Sequence, residues 1–181
     1  IANNLSTLTP PFNGHGCEVY VRDCRAGAIY LASFGARGFG NGASQFPRLS
    51  GDGRSVTYES RATNLELGDN NAVRDIFVYD LMQGTQTRIK GVNGEADGES
   101  TEPSISSDGR YIAFTSKATN LMTRIDKNLG VEDVFVRPLA HLHPAGGGAV
   151  ELLARHGGHR PRDVLAGELA GGEQPEPHAP R

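Results

Sequence analysis

Three six-residue stretches repeat an apolar pattern along the chain: EVYVRD (Glu18 to Asp23), DIFVYD (Asp75 to Asp80) and DVFVRP (Asp133 to Pro138). In the last two, apolar residues fill both parities. Ile76 and Val78 alternate with Phe77 and Tyr79, and Val134 and Val136 alternate with Phe135. Successive side chains of a strand point to opposite faces. An antiparallel sheet with one wet face would show a polar parity. These stretches are therefore read as strands of small sheets covered on both sides.

The text around them repeats too. FPRLSGDGRSVTYESRATNL (Phe46 to Leu65) is echoed by EPSISSDGRYIAFTSKATNL (Glu102 to Leu121), with Pro, Ser, Asp-Gly-Arg, Ser and Ala-Thr-Asn-Leu in matching places. The offset is 56 residues here and 57 and 58 residues between the three apolar stretches. Each repeat parses into four short strands. In the last repeat, PSIS is the first strand, Asp-Gly turns the chain back, and RYIAFTS is the second. Asp-Gly suits a hairpin because Gly accepts a positive φ and Asp can bond its own backbone. A loop then leads to DVFVRP, and a Gly-containing turn leads to a fourth strand. That fourth strand is TQTRIK in the middle repeat and AVELLAR (Ala149 to Arg155) in the last.

Four-stranded units stacked face to face about an axis form a β-propeller, which meets the need for two covered faces. The chain therefore reads as all-β, a partial β-propeller of four-stranded antiparallel blades. Residues 1–45 supply the end of one blade, 46–95 a full blade and 96–155 the last; 156–181 form a Gly/Pro-rich tail, flexible or ordered by a partner. The motif P-x-x-S-x-D-G-R-x-x-x-F/Y-x-S followed by D-x-F-V resembles the TolB-type, WD-repeat-like propellers of bacteria over about residues 1–155. That resemblance implies a periplasmic or extracellular setting. It is a marker of fold more than of function, since propellers host many activities. A closed ring takes about four to eight blades. The chain carries roughly two and a half, so its open edges and apolar faces imply a protein partner or blades from another chain.

Composition narrows the classes. Twenty-four Gly and ten Pro with no Trp suit a turn-rich β protein. A net charge of −3 gives no basic field for nucleic acid. No run is long and apolar enough to form a transmembrane helix. The opening IANNL carries neither an initiator Met nor a signal peptide, so a mature or partial chain is expected. Cys17 and Cys24 would lie about 23 Å apart on one extended segment, beyond the about 7 Å that a disulfide spans. Two thiols, or one bridge to an outside partner, are expected.

Candidate chemistry concentrates in the loop before the third strand. GDNNAVRD sets Asp69, Asn71 and Asp75 at spacing D-x-N-x-x-x-D, and RIDKNLGVED offers Asp126, Asn128 and Asp133. Oxygen ligands at such spacing could hold Ca²⁺, which takes six to eight of them. The competing reading is structural: Asp and Asn cap turns and open strands by bonding loop amides. SDGR is read as a hairpin turn whose Arg pairs a nearby carboxylate. ATNL is read as a loop that packs Leu65 and Leu121 inward while Asn64 and Asn120 bond backbone. Ser60 and Ser116 lack the G-x-S-x-G elbow of a hydrolase nucleophile. His141, His143, His156 and His159 lie in Gly/Pro-rich text where ligand geometry is costly to hold, and are read as exposed. GARGFGNG leads into a strand, so it lacks the helix N-terminus that a phosphate loop needs.

The function expected is a non-catalytic interaction or scaffolding module that docks on a larger protein assembly, with no enzyme activity and no cofactor beyond a possible Ca²⁺. Two alternatives remain open. One is the propeller fragment of an exported hydrolase, a peptidase or glycosidase, with its catalytic residues elsewhere. The other is a Ca²⁺-stabilised cell-surface adhesion repeat.

Overall fold

The computed structural model describes residues 16–35, 37–123 and 130–139, with the backbone of strand 151–155. The strands in chain order are β1 (Tyr20–Arg22), β2 (Ile29–Leu31), β3 (Phe34–Gly35), β4 (Gly38–Phe39), β5 (Ser44–Leu49) and β6 (Ser55–Ser60). They continue as β7 (Asp75–Asp80), β8 (Thr85–Arg88), β9 (Ser100–Ile105), β10 (Tyr111–Ser116), β11 (Asp133–Pro138) and β12 (Glu151–Arg155). Two four-stranded antiparallel meanders result, β5-β6-β7-β8 and β9-β10-β11-β12. We call them blades 2 and 3. The pair β1-β2 is the last half of blade 1. The chain is thus all-β, built of propeller-type blades that do not close into a ring among the described residues. No helix there is long and apolar enough to cross a membrane. The tail 156–181 lies outside the described residues.

The hairpin turns follow the expected chemistry, twice over. At the β5–β6 turn, the Ser50 hydroxyl donates to Asp52 Oδ1 (2.5 Å) while Asp52 Oδ1 accepts the Arg54 N–H (3.0 Å). Ser106, Asp108 and Arg110 repeat both bonds at 2.6 and 3.1 Å. Gly53 (φ 70°) and Gly109 (φ 68°) stand where a left-handed backbone is required. Arg54 pairs with Asp80 at 3.2 Å, as expected of the SDGR arginine. Pro138 replaces that acid in blade 3.

Each first strand carries a bulge that the sequence pattern did not reveal. Phe46 (φ 51°) and Glu102 (φ 54°) are left-handed, each directly before a proline, where the strand pairings β5–β6 and β9–β10 shift register. Such a backbone is strained for a non-glycine residue, at a cost on the order of 1–3 kcal/mol. The recurrence of the strain at one repeat position shows that the fold imposes it. The Gly-rich GARGFGNG, read only as a lead-in, forms the small hairpin β3-β4.

The cores lie between blades. One packs Val19 and Ala32 of blade 1 on Val56, Tyr58 and Phe77 of blade 2. The next packs Ile76 and Val78 of blade 2 with Ile112, Phe114 and Phe135 of blade 3. The two parities of β7 thus serve two different seams, which explains the doubly apolar DIFVYD.

Candidate functional site

The loop between β6 and β7 brings Asp69, Asn71 and Asp75 together, and Glu95 joins them from the loop after β8. A carboxylate oxygen from each of the three acids lies within 4.8 Å of the others. At their centre stands the buried Arg88, from the end of β8. Its Nη1 lies 3.1 Å from Asp69, 3.0 Å from Asp75 and 3.0 Å from Glu95. Its Nη2 donates to Gly68 O at 3.0 Å. Asn71 Oδ1 accepts the Val73 N–H at 3.0 Å, and its Nδ2 donates to Ala96 O at 3.0 Å. The Asn71 oxygen expected to ligate Ca²⁺ is therefore used by the loop backbone. A Ca²⁺ within about 2.3–2.6 Å of the acids would abut the guanidinium. The fit is poor: Arg88 supplies the positive charge that an ion would bring under the Ca²⁺ reading, and the contacts are those of the competing structural one.

Three acids around one guanidinium leave an excess of negative charge. Burial, with the neighbouring Asp75 and Glu95, pushes the Asp69 carboxyl up to about 6 against the pull of Arg88. Burial also raises Asp75, partly offset by Arg88 and Asn71. Glu95 shifts the other way. Burial pushes it up, but the N–H groups of Asn70 and Asn71 and the Arg88 guanidinium outweigh that and lower it. The cluster ties the β6–β7 loop to the end of blade 2 and the approach to blade 3. In the last repeat, Asp126 and Asn128 lie outside the described residues, while Asp133 is buried at the start of β11, opposite Ser116.

The ATNL loops clamp each blade to the segment that enters it. Asn64 Nδ2 donates to Phe39 O and Asn120 Nδ2 to Glu95 O, both at 2.7 Å. Their Oδ1 atoms accept the Asn41 N–H (2.8 Å) and the Asp97 N–H (3.2 Å). Leu65 and Leu121 are buried, as read from the sequence. Gly42 and Gly98 sit so close to the next loop that a Cβ would approach the backbone of Arg61 or of Lys117 and Ala118 to 2.7 Å.

A polar seam joins blades 2 and 3. Arg74 pairs with the buried Glu59 at 3.1 Å and with Glu99 at 3.6 Å. Glu59 Oε2 also accepts the Glu102 N–H at 3.2 Å, at the strained bulge. The seam borders a cleft of about 650 Å³ that also meets Arg48 and Glu132.

The far side of blade 3 differs. In blade 2, Thr57 (0%), Val78 (1%), Glu59 (2%) and Ile76 (0%) form two cross-strand pairs on one face and are covered by blade 3. The same places in blade 3 hold Ala113 opposite Val136 and Thr115 opposite Val134. All four are only half-buried.

The remaining sequence candidates fall into structural roles or outside view. Ser60 and Ser116 bond Ser44 and Ser100 at 2.9 Å, inside the blades. All six His lie outside the described residues. Cys17 is half-buried, Cys24 is exposed, and no disulfide joins them. Arg88 and Glu95 were missed by sequence reading. The one available signal was an Arg inside TQTRIK, the strand that follows the apolar DIFVYD.

No protein-family model and no curated protein matches the sequence. Among solved structures, the chain is similar to the tricorn protease at 17% identity and a TM-score of 0.43. The match covers 75% of this chain and 14% of that one.

Proposed function

We propose that the chain is a non-catalytic interaction module that docks on a larger protein assembly through the open face of blade 3, which no further blade covers among the described residues. The observation behind this reading is the contrast between the two equivalent faces. Ile76 and Val78 are buried under the next blade, whereas Val134 and Val136 keep part of their surface in water. Full burial of a Val side chain is worth about 1.5–3 kcal/mol, so covering the remainder would return at most about 1 kcal/mol for each. The interior acids add to the reading, because they are engaged by Arg88 and Arg74 as structural ties. The repeat motif suggests TolB-type kinship, and on that basis we place the module in a periplasmic or extracellular setting.

A photoreactive residue at position 136, in cells that make the protein, tests the docking face. Irradiation should yield a covalent protein adduct at position 136 and none at the exposed Met82. Equal adducts at both positions, or none at 136, would overturn the reading.

A further inference from the structure

The two ends of the described stack are complementary by repeat position. In β11, Phe135 turns toward blade 2 and packs with Ile76 and Val78. Arg137, two residues on, shares that face, and its Nη1 donates to Lys90 O at the end of blade 2 (2.5 Å). The inward code of blade 3 is thus an aromatic residue followed at i+2 by arginine. Blade 1 carries the same code on its outer side. Val19 and Val21 pack on blade 2, so the alternating Tyr20 and Arg22 face away from it. Leu31 and Ile29 stand opposite them in β2 and share that outer face. Arg22 is exposed, and Tyr20, Ile29 and Leu31 are half-buried. At the other end, Val134 and Val136 stand at the repeat positions of Ile76 and Val78, the residues on which an aromatic-x-Arg strand already docks within this chain.

We propose that the occupant of the open face of blade 3 is a second copy of this chain, docked head to tail, with Tyr20 and Arg22 of one copy over Val134 and Val136 of the other. The contact is heterologous, so it extends to further copies or closes into a ring, and it leaves no two-fold axis. It rests on the reading of blade 3 as a docking face and adds the identity of the occupant. The internal seam between blades 2 and 3 serves as its template.

Sedimentation velocity of the full chain over a concentration series, with two variants, tests the proposal. The wild type should sediment faster as concentration rises and pass beyond the dimer. Arg22→Glu alters an exposed side chain and spoils only the head; Val136→Lys spoils only the tail. Each variant alone should lose about tenfold or more in association. Their equimolar mixture should form a heterodimer and stop there, since one intact head meets one intact tail. That recovery also shows that both variants are folded. A wild type that stays monomeric at every concentration would overturn the proposal. So would an Arg22→Glu chain that associates as the wild type does. A monomeric chain that still gives an adduct with a different protein at position 136 would remove the second copy and leave the docking face standing.

Discussion

Arg88 Nη1 lies 3.0 Å from Asp75 Oδ2, with both side chains almost wholly out of solvent. The contact joins the end of β8 to the start of β7. Asp69 and Glu95 complete the shell around the same nitrogen. Removing one partner of a buried pair strands the other, which typically costs about 3–5 kcal/mol. Arg88→Met should therefore lower unfolding stability by about that amount, read from urea denaturation. Because the guanidinium already sits among the acids, EDTA should leave the wild-type melting midpoint unchanged. A midpoint that drops with EDTA and returns with Ca²⁺ would restore the ion to this loop.

The same cluster sets a pH dependence. The Asp69 carboxyl is raised from 3.8 to about 6 in the folded chain, so folding favours its protonated form. A raised pKa contributes stability that is full below the unfolded value and is lost as pH rises through the folded one. Asp75 acts in the same direction. Glu95, lowered from 4.5, acts in the opposite sense, and its contribution fades only as pH falls below that value. Between about pH 4.5 and 7, Asp69 should dominate. The melting midpoint should climb as pH falls from 7 to 5, and Asp69→Asn should flatten the climb. A wild-type midpoint that falls over this interval would contradict the assignment.

Gly98 tests the clamp between loop and blade. An added Cβ would meet the backbone of Lys117 and Ala118 at 2.7–2.8 Å, and backbone cannot swing aside. Gly98→Ala should cost about 1–3 kcal/mol or more through overpacking. Gly42→Ala should behave alike in blade 2, since Arg61 and Ala62 stand equally close to it. Chemical denaturation of both variants checks the pair. Equal wild-type midpoints would mean that the loops can part without cost.

The blades were legible in the sequence for a physical reason. A period of 56–58 residues, an Asp-Gly turn and third strands apolar on both parities leave few architectures open. Strand pairing then placed β5–β8 and β9–β12 where the parse put them. The ATNL loops are legible as well, because Asn64 and Asn120 bond segments whose spacing repeats with them. The cluster was legible only by half. Asp69, Asn71 and Asp75 share one loop and can be seen as a pattern. Arg88 and Glu95 arrive from later in the chain: the folded register of β7 with β8 sets Arg88 beside that loop, and the Asn70 and Asn71 amides hold Glu95 there. The bulges at Phe46 and Glu102 were hidden for a related cause: a residue before proline is expected to be extended, and here it is left-handed.

One face of blade 3 is built like a covered face, no further blade covers it among the described residues, and its proposed role is to dock a protein. Solvent paramagnetic relaxation of methyl groups, followed over a dilution series of the full chain, tests it most directly. At high dilution, the Val134 and Val136 methyls should relax strongly while those of Ile76 and Val78 stay protected. As concentration rises, the enhancement at Val134 and Val136 should fall toward the protected level. Strong enhancement at Val136 that persists at every concentration would remove only the second copy as occupant, whereas protection equal to that of Val78 even at the highest dilution would contradict the account.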